Sequence, residues 1–174
     1  MIIKYRLISG ENEDFVRDIE IHEENSFLDL NLAIQDACNF DSSFLSTFYL
    51  SNKSWDKLDE IVQDKIDAET QGDVLLMEDT RLSHFDPQLG QRYIYIFDFF
   101  SIRAFFIEIV NIRNIEKTDH LLEFPICTLS KGKAPEQVFI DDIAEDEEFN
   151  DNYYEDDDDY DDDLGFDNID DYDF

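Results

Sequence analysis

Asp98 and Glu108 are the two acids in the most apolar part of the chain, YIYIFDFFSIRAFFIEI, residues 93–109. A pair of carboxylates held in apolar surroundings is the raw material of general acid–base catalysis. The same residue types also have a plainer use, because an Asp at the end of a strand caps the turn that follows it. Other chemistry-bearing residues lack the required spacing. His22, His84 and His120 are scattered, with no H-E-x-x-H and no Cys/His pairing of zinc spacing. Cys127 and His120 would make a nucleophile pair only with a third group to orient the imidazole, and none suggests itself. Ser54-Trp55-Asp56-Lys57 matches S-x-x-K without its companion motifs. The five glycines lie too far apart for a phosphate-cradling loop or a dinucleotide turn. No cofactor is implied.

The C-terminal run EDDDDYDDDLGFDNIDDYDF offers carboxylates in abundance. A calcium loop needs Gly at its sixth position, and counting back from Gly165 puts Tyr160 first and Leu164 fifth. The pattern fails, and no metal site is expected. Tyr153, Tyr154, Tyr160 and Phe166 are interleaved with the acids. That is the composition of segments that stay disordered alone and dock onto basic, grooved partners. The plainer reading is a solubilising tail.

Which elements would position these residues? IIKYRLISG and the alternating FVRDIEIH predict a hairpin across the polar GENED turn. Ser26 with Asp29 three residues on reads as a capping box, opening a helix over 26–38. Its apolar face carries Phe27, Leu30, Ile34 and Ala37, joined by Ala33 and Cys38. FLSTFYLS supplies a strand against that face. Residues 54–73 fit either an amphipathic helix or a loop with short strands. Thr80 is placed to cap a short turn through Leu82 and Phe85. RYIYIFDF and RAFFIEIVNI are aromatic and β-branched enough for two central strands. The sum is an α+β fold, a mostly antiparallel sheet of about five strands with one main helix packed on it, in a β-grasp-like layout. The domain spans 1–138, and 139–174 is the disordered acidic tail.

Charge excludes further classes. The chain has 13 Lys and Arg against 45 Asp and Glu, a formal net charge of −32. Residues 141–174 hold 19 acids and no Lys or Arg, which leaves −13 on residues 1–140. Direct nucleic-acid binding relies on cations displacing counterions, and no stretch concentrates them. Cys38 and Cys127 form no C-x-x-C pair and read as small apolar residues in a reducing compartment. MIIKYRLISGENED is not a secretory signal, and the 93–112 run is interrupted by Asp98, Arg103 and Glu108. The expectation is a cytoplasmic protein without a membrane span.

Three stretches together resemble a known family. SFLDLNLAIQDACNFDSSFLSTFYL is similar to the T-L-x-D-L-H-x-x-I-Q-x-A-x-G-W-x-x-x-H-L-x-x-F segment of the plasmid pRiA4b ORF-3-like proteins, also labelled TnpR-like passenger proteins of an insertion element. YIYIFDFFSIRAFFIEI resembles the family's Y-D-F-G-D-x-W-x-H-x-I-E-L strand pair, and FPICTLSKGKAPEQ its Y-P-x-C-x-x-G-x-x-A-x-P-P-E-D. The resemblance covers about residues 1–137. It is nearest a subgroup whose strand pair reads F-D-x-x-x-x-R-x-F-F-x-E-L before an acidic, aromatic tail. Phe44 stands for the His of H-L, Arg103 for the Trp and Phe105 for the His of W-x-H, so a ligand site built on those histidines is not expected here. Phe100 and Ser101 replace Gly-Asp, while Asp98 and Glu108 remain. The label TnpR suggests a resolvase, but Arg6 beside Tyr5 and three residues before Ser9 breaks the Y-x-R-x-S spacing of a serine recombinase.

The function expected is therefore a non-enzymatic interaction or accessory protein, with Asp98, Arg103 and the tail residues Tyr153, Tyr154, Tyr160 and Phe166 as candidate contacts to a basic protein partner. The alternatives are a mobile-element regulator acting by DNA mimicry or on a DNA-processing partner, and an enzyme using Asp98 and Glu108.

Overall fold

The computed structural model describes residues 1–64 and 74–138. The predicted tail, with Tyr153, Tyr154, Tyr160 and Phe166, lies outside them. Two antiparallel strands open the chain, β1 (Ile2–Ser9) and β2 (Val16–His22), as the alternation requires. Helix α1 (Phe27–Cys38) follows, then β3 (Thr47–Ser51), β4 (Lys57–Val62), β5 (Leu75–Leu76), β6 (Arg92–Asp98), β7 (Arg103–Arg113) and β8 (Ile126–Lys131). All eight form one mixed sheet in the order β5-β4-β3-β6-β7-β1-β2-β8, antiparallel except for the short β4–β5 pair.

The five-stranded, β-grasp-like layout is thereby corrected: the sheet has eight strands. The three that sequence pattern did not assign sit at its margins. β4 reads KLDEIV and is exposed at four of its six positions, so it lacks the apolar alternation that marks a half-buried strand. β5 has two residues, and β8 is exposed over Cys127 to Lys131. Edge strands need only backbone hydrogen bonds on one side, and side chains there say little. Within residues 54–73 the helical alternative gives way to β4, while 65–73 lie outside the described residues.

The capping box forms as expected. The Ser26 hydroxyl accepts from the Asp29 amide at 3.1 Å, and the Asp29 carboxylate accepts from the Ser26 amide at 2.9 Å. At the other end Asn39 takes a left-handed conformation, φ 58°, where the family pattern has Gly; both residues tolerate it. Thr80 does not cap the 3₁₀ turn Leu82–Phe85, whose first residue follows Arg81 with no side-chain cap. Its backbone instead ties the turn to α1, the Phe27 amide donating to the Thr80 carbonyl at 2.9 Å.

The helix packs on one face of the sheet, over Tyr5 and Leu7 of β1, Ile19 of β2, Phe48 of β3, Tyr95 of β6 and Ile107 of β7, all fully buried. Its buried side is turned slightly from the expected one. Asn31 and Gln35 point inward with Leu30 and Ile34, and Ala33 and Ala37 lie at the margin. A core amide needs partners. Asn31 Oδ1 accepts from the Tyr95 hydroxyl at 2.6 Å and the Ser46 hydroxyl at 2.8 Å.

Candidate functional site

Asp98 ends β6 and Arg103 begins β7, directly opposite each other across the hairpin. Asp98 performs the plainer of its two predicted roles. One carboxylate oxygen accepts from the amides of Phe100 at 3.0 Å and Ser101 at 3.3 Å, closing the turn. The other lies 3.6 Å from the Arg103 guanidinium. Arg103 makes a fork to Glu11, at 2.9 and 2.7 Å, and lies over the Phe97 ring. The hydrogen bonding that Arg103 donates to Glu11 is the main reason its pKa rises above the ordinary guanidinium value. This cluster joins the β6–β7 turn to the β1–β2 turn, with Glu11 and Arg103 92 residues apart in sequence yet adjacent because β1 pairs with β7.

Glu108 is elsewhere. It lies five positions from Arg103 along β7, about 17 Å at ~3.3 Å per residue. Odd spacing puts it on the opposite face of the sheet. There it pairs with Arg92 at 2.9 Å, and Arg92 in turn lies over the Trp55 ring, which packs edge-on against Phe106. The structure thus keeps Asp98 and Arg103 together and separates Asp98 from Glu108. The fixed positions of F-D-x-x-x-x-R-x-F-F-x-E-L have structural uses: Asp98 and Arg103 brace the turn, Phe97, Phe105 and Ile109 fill the core, Phe106 supports Trp55, and Glu108 holds Arg92.

Phe105 deserves its place in that pattern. Its ring lies within 4.7–6.2 Å of Phe97, Phe15, Phe40 and Tyr95. Where the general pattern has His, this chain has the hub of an aromatic cluster, with no room for a polar ligand group. Phe44, standing for the other His, is partly exposed.

The remaining candidates do not gather. The Cys127 thiol contacts the Leu129 carbonyl, and burial raises its pKa, the reverse of what a nucleophile needs. Burial pushes Cys38 up to about 12, as suits a core thiol. His22 packs against Phe124 and His84 against Phe85. Among the described residues no group of three or more His, Cys, Asp or Glu is arranged to hold a metal ion, and no helix is long and apolar enough to cross a membrane. One open cavity of about 440 Å³ is lined by Asp59, Glu60, Leu75, His84 and Phe85, beside β4 and β5.

Sequence reasoning missed an ion network on the face away from α1. Arg113 bonds Glu20 at 2.9 Å and Asp119 at 2.7 Å, and Lys4 joins Glu20 at 2.9 Å. Burial alone would raise the Glu20 pKa, but hydrogen bonds from Lys4 and Arg113 outweigh it and the carboxyl ends below its usual range. Asp119 falls to about 2, held by Arg113 and the Glu116 amide. The available signal was the alternation of Asp18 and Glu20 with Ile19 and Ile21; their partners on β1 and β7 are set by strand order alone.

The model of the plasmid pRiA4b ORF-3-like protein family matches residues 3–169. The chain belongs to the plasmid pRiA4b ORF-3-like family. The match passes beyond 138 and takes in most of the acidic segment. Among solved structures, the pRiA4b ORF-3-like chain is similar to a protein of unknown function, MM3350, from Methanosarcina mazei Go1. The identity is 24%, the TM-score 0.62, and the likeness covers 77% of this chain and 71% of the other. That likeness concerns the fold. No curated protein matches the chain.

Proposed function

We propose that this pRiA4b ORF-3-like protein is a non-enzymatic accessory protein that works through protein–protein contacts, with a basic partner engaging residues 141–174. The observation that carries the reading is the fate of the two strand-pair acids. Asp98 and Glu108 stand about 17 Å apart along the hairpin; Asp98 is committed to the turn's amides and Arg103, and Glu108 to Arg92. A general acid and base must share a substrate; these two share none. The charge of −19 over residues 141–174, interleaved with Tyr153, Tyr154, Tyr160 and Phe166, favours basic protein surfaces as partners.

Affinity capture with the full chain and with a chain lacking residues 141–174 tests this. The expected result is a set of partners retained by the full chain and lost on truncation. Identical sets in both would remove the tail from the proposal. A DNA-processing enzyme among the lost partners would favour the alternative, a mobile-element regulator acting on such an enzyme or occupying its nucleic-acid site. Replacing Tyr153, Tyr154, Tyr160 and Phe166 by Ser with every acid kept separates docking from charge. Unchanged binding would mean that the segment acts by charge alone.

A further inference from the structure

The turn between β6 and β7, residues 99–102, presents its apolar side chains outward. Phe100 is 98% exposed, Ile102 72% and Phe99 49%. Phe44 and Leu45 are also exposed, and they precede β3 at the same end of the sheet, since Thr47 pairs with Ile96. Single exposed apolar residues are ordinary; several at one tip mark a contact surface. The backbone adds an independent observation. Ile102 sits at φ 52°, in the left-handed region that a β-branched side chain strongly disfavours.

Elsewhere this chain places Asn39, Gly90 and Gly132 at left-handed positions, the residues that fit them. Trp55 is another exception, at φ 65°, and its ring is used within the fold against Phe106 and Arg92. The Ile102 side chain points to solvent, so intramolecular packing does not offset its strain. The turn is also held firmly, by Asp98 beneath the Phe100 and Ser101 amides and by Arg103 between Asp98 and Glu11. Rigid, preorganised display of a large apolar side chain is what an interface anchor requires.

We infer that the 99–102 turn is a docking anchor: Phe100 and Ile102 enter an apolar pocket on a partner protein whose rim carries Lys and Arg. Charge selects that rim. Glu13, in the β1–β2 turn, and Asp41, whose carbonyl accepts from the Phe44 amide, are exposed acids at or near this end of the sheet, on a chain of net charge −32. A membrane surface is a poorer match, because anionic headgroups would be repelled. The inference rests on the protein-contact reading above, but uses a surface distinct from residues 141–174.

The test uses the full chain with a photo-crosslinking phenylalanine analogue at position 100, in cells where the chain is native. The crosslinked protein is then purified and its affinity measured for wild type, Phe100→Ser and Ile102→Gly. The expected result is a basic protein whose binding weakens as salt rises and falls at least tenfold for both variants. The melting temperature should be unchanged for Phe100→Ser and unchanged or higher for Ile102→Gly, since Gly relieves the strain. A structural role would instead make the variants lose stability and leave binding alone. No crosslink at position 100, tip variants binding as wild type, or crosslinking only to lipid would overturn the inference. If partners are captured through residues 141–174 while the tip variants bind normally, the anchor fails and the accessory-protein reading stands. If the full chain captures no partner at all, both fail.

Discussion

Arg103 shows what a side chain singled out by sequence as a candidate contact does within the fold. It is an Arg in an apolar run, the kind of residue that draws attention as a possible ligand clamp, yet it is 8% exposed and shared between Glu11 and Asp98. Removing one partner of a buried ion pair leaves the other charge without compensation. Arg103→Met should therefore cost about 3 kcal/mol in urea unfolding, and Glu11→Gln less, because Glu11 is more exposed. Phe105 gives the complementary case. Phe105→His restores the residue of the general pattern but places an imidazole among four aromatic rings. The expected loss is roughly 2–4 kcal/mol, with the melting curve at pH 5 lower than at pH 8, since a protonated imidazole is harder to bury. Wild-type stability in Phe105→His would mean that the hub tolerates a polar group after all.

At the level of elements, α1 and β8 differ in what defines them. α1 is specified locally, by Ser26, Asp29 and the spacing of Phe27, Leu30 and Ile34. Ser26→Ala should cost about 1 kcal/mol, read by the urea midpoint. β8 depends on a distant contact. Gly132, just past its end, has φ 70°, and a Cβ there would meet the Asp14 carbonyl oxygen at 2.5 Å, in the β1–β2 turn. Arg17 also holds this end, donating to the carbonyls of Lys131 at 2.7 Å and Gly132 at 3.1 Å. Gly132→Ala should free β8 first, so amide exchange over Ile126–Lys131 should accelerate while α1 stays protected. Uniform acceleration across α1 and β8 would show instead that β8 unfolds only with the whole sheet.

The whole molecule carries a charge imbalance that its ion pairs only partly manage, and pH exposes both. Asp119, Glu20 and Asp29 have folded pKa values below their ordinary range. Groups of this kind add stability above the unfolded pKa, and the gain is lost as pH falls through the folded value. For Asp119 the window runs from its ordinary 3.8 down to about 2. Protonation of the many other acids relieves repulsion over similar pH values and acts in the opposite direction. Comparison with Arg113→Met isolates the first effect, because the excess acids are common to both chains. The urea midpoint of the wild type should fall more steeply than that of the variant between about pH 4 and 2. Parallel curves would show that Arg113 does not set the Asp119 and Glu20 protonation.

At this scale the family could be read from three motifs in register, and the first hairpin, α1 and the β6–β7 pair from local pattern, because apolar periodicity and caps are short-range properties. Asp98 likewise declared itself as a turn cap from its place at the end of an apolar run. What sequence could not supply was everything fixed by strand order. The Asp98–Arg103–Glu11 cluster and the Lys4–Glu20–Arg113–Asp119 network arise because β1 sits between β7 and β2, and the marginal strands because β4 and β5 extend the sheet beyond β3 and β8 beyond β2. That order is chosen by burial of the whole core, not by any one segment. Asp98 and Glu108 are parted instead by their places on the β6–β7 hairpin, Asp98 opposite Arg103 at the turn and Glu108 opposite Arg92 near its far end, a separation fixed by strand pairing.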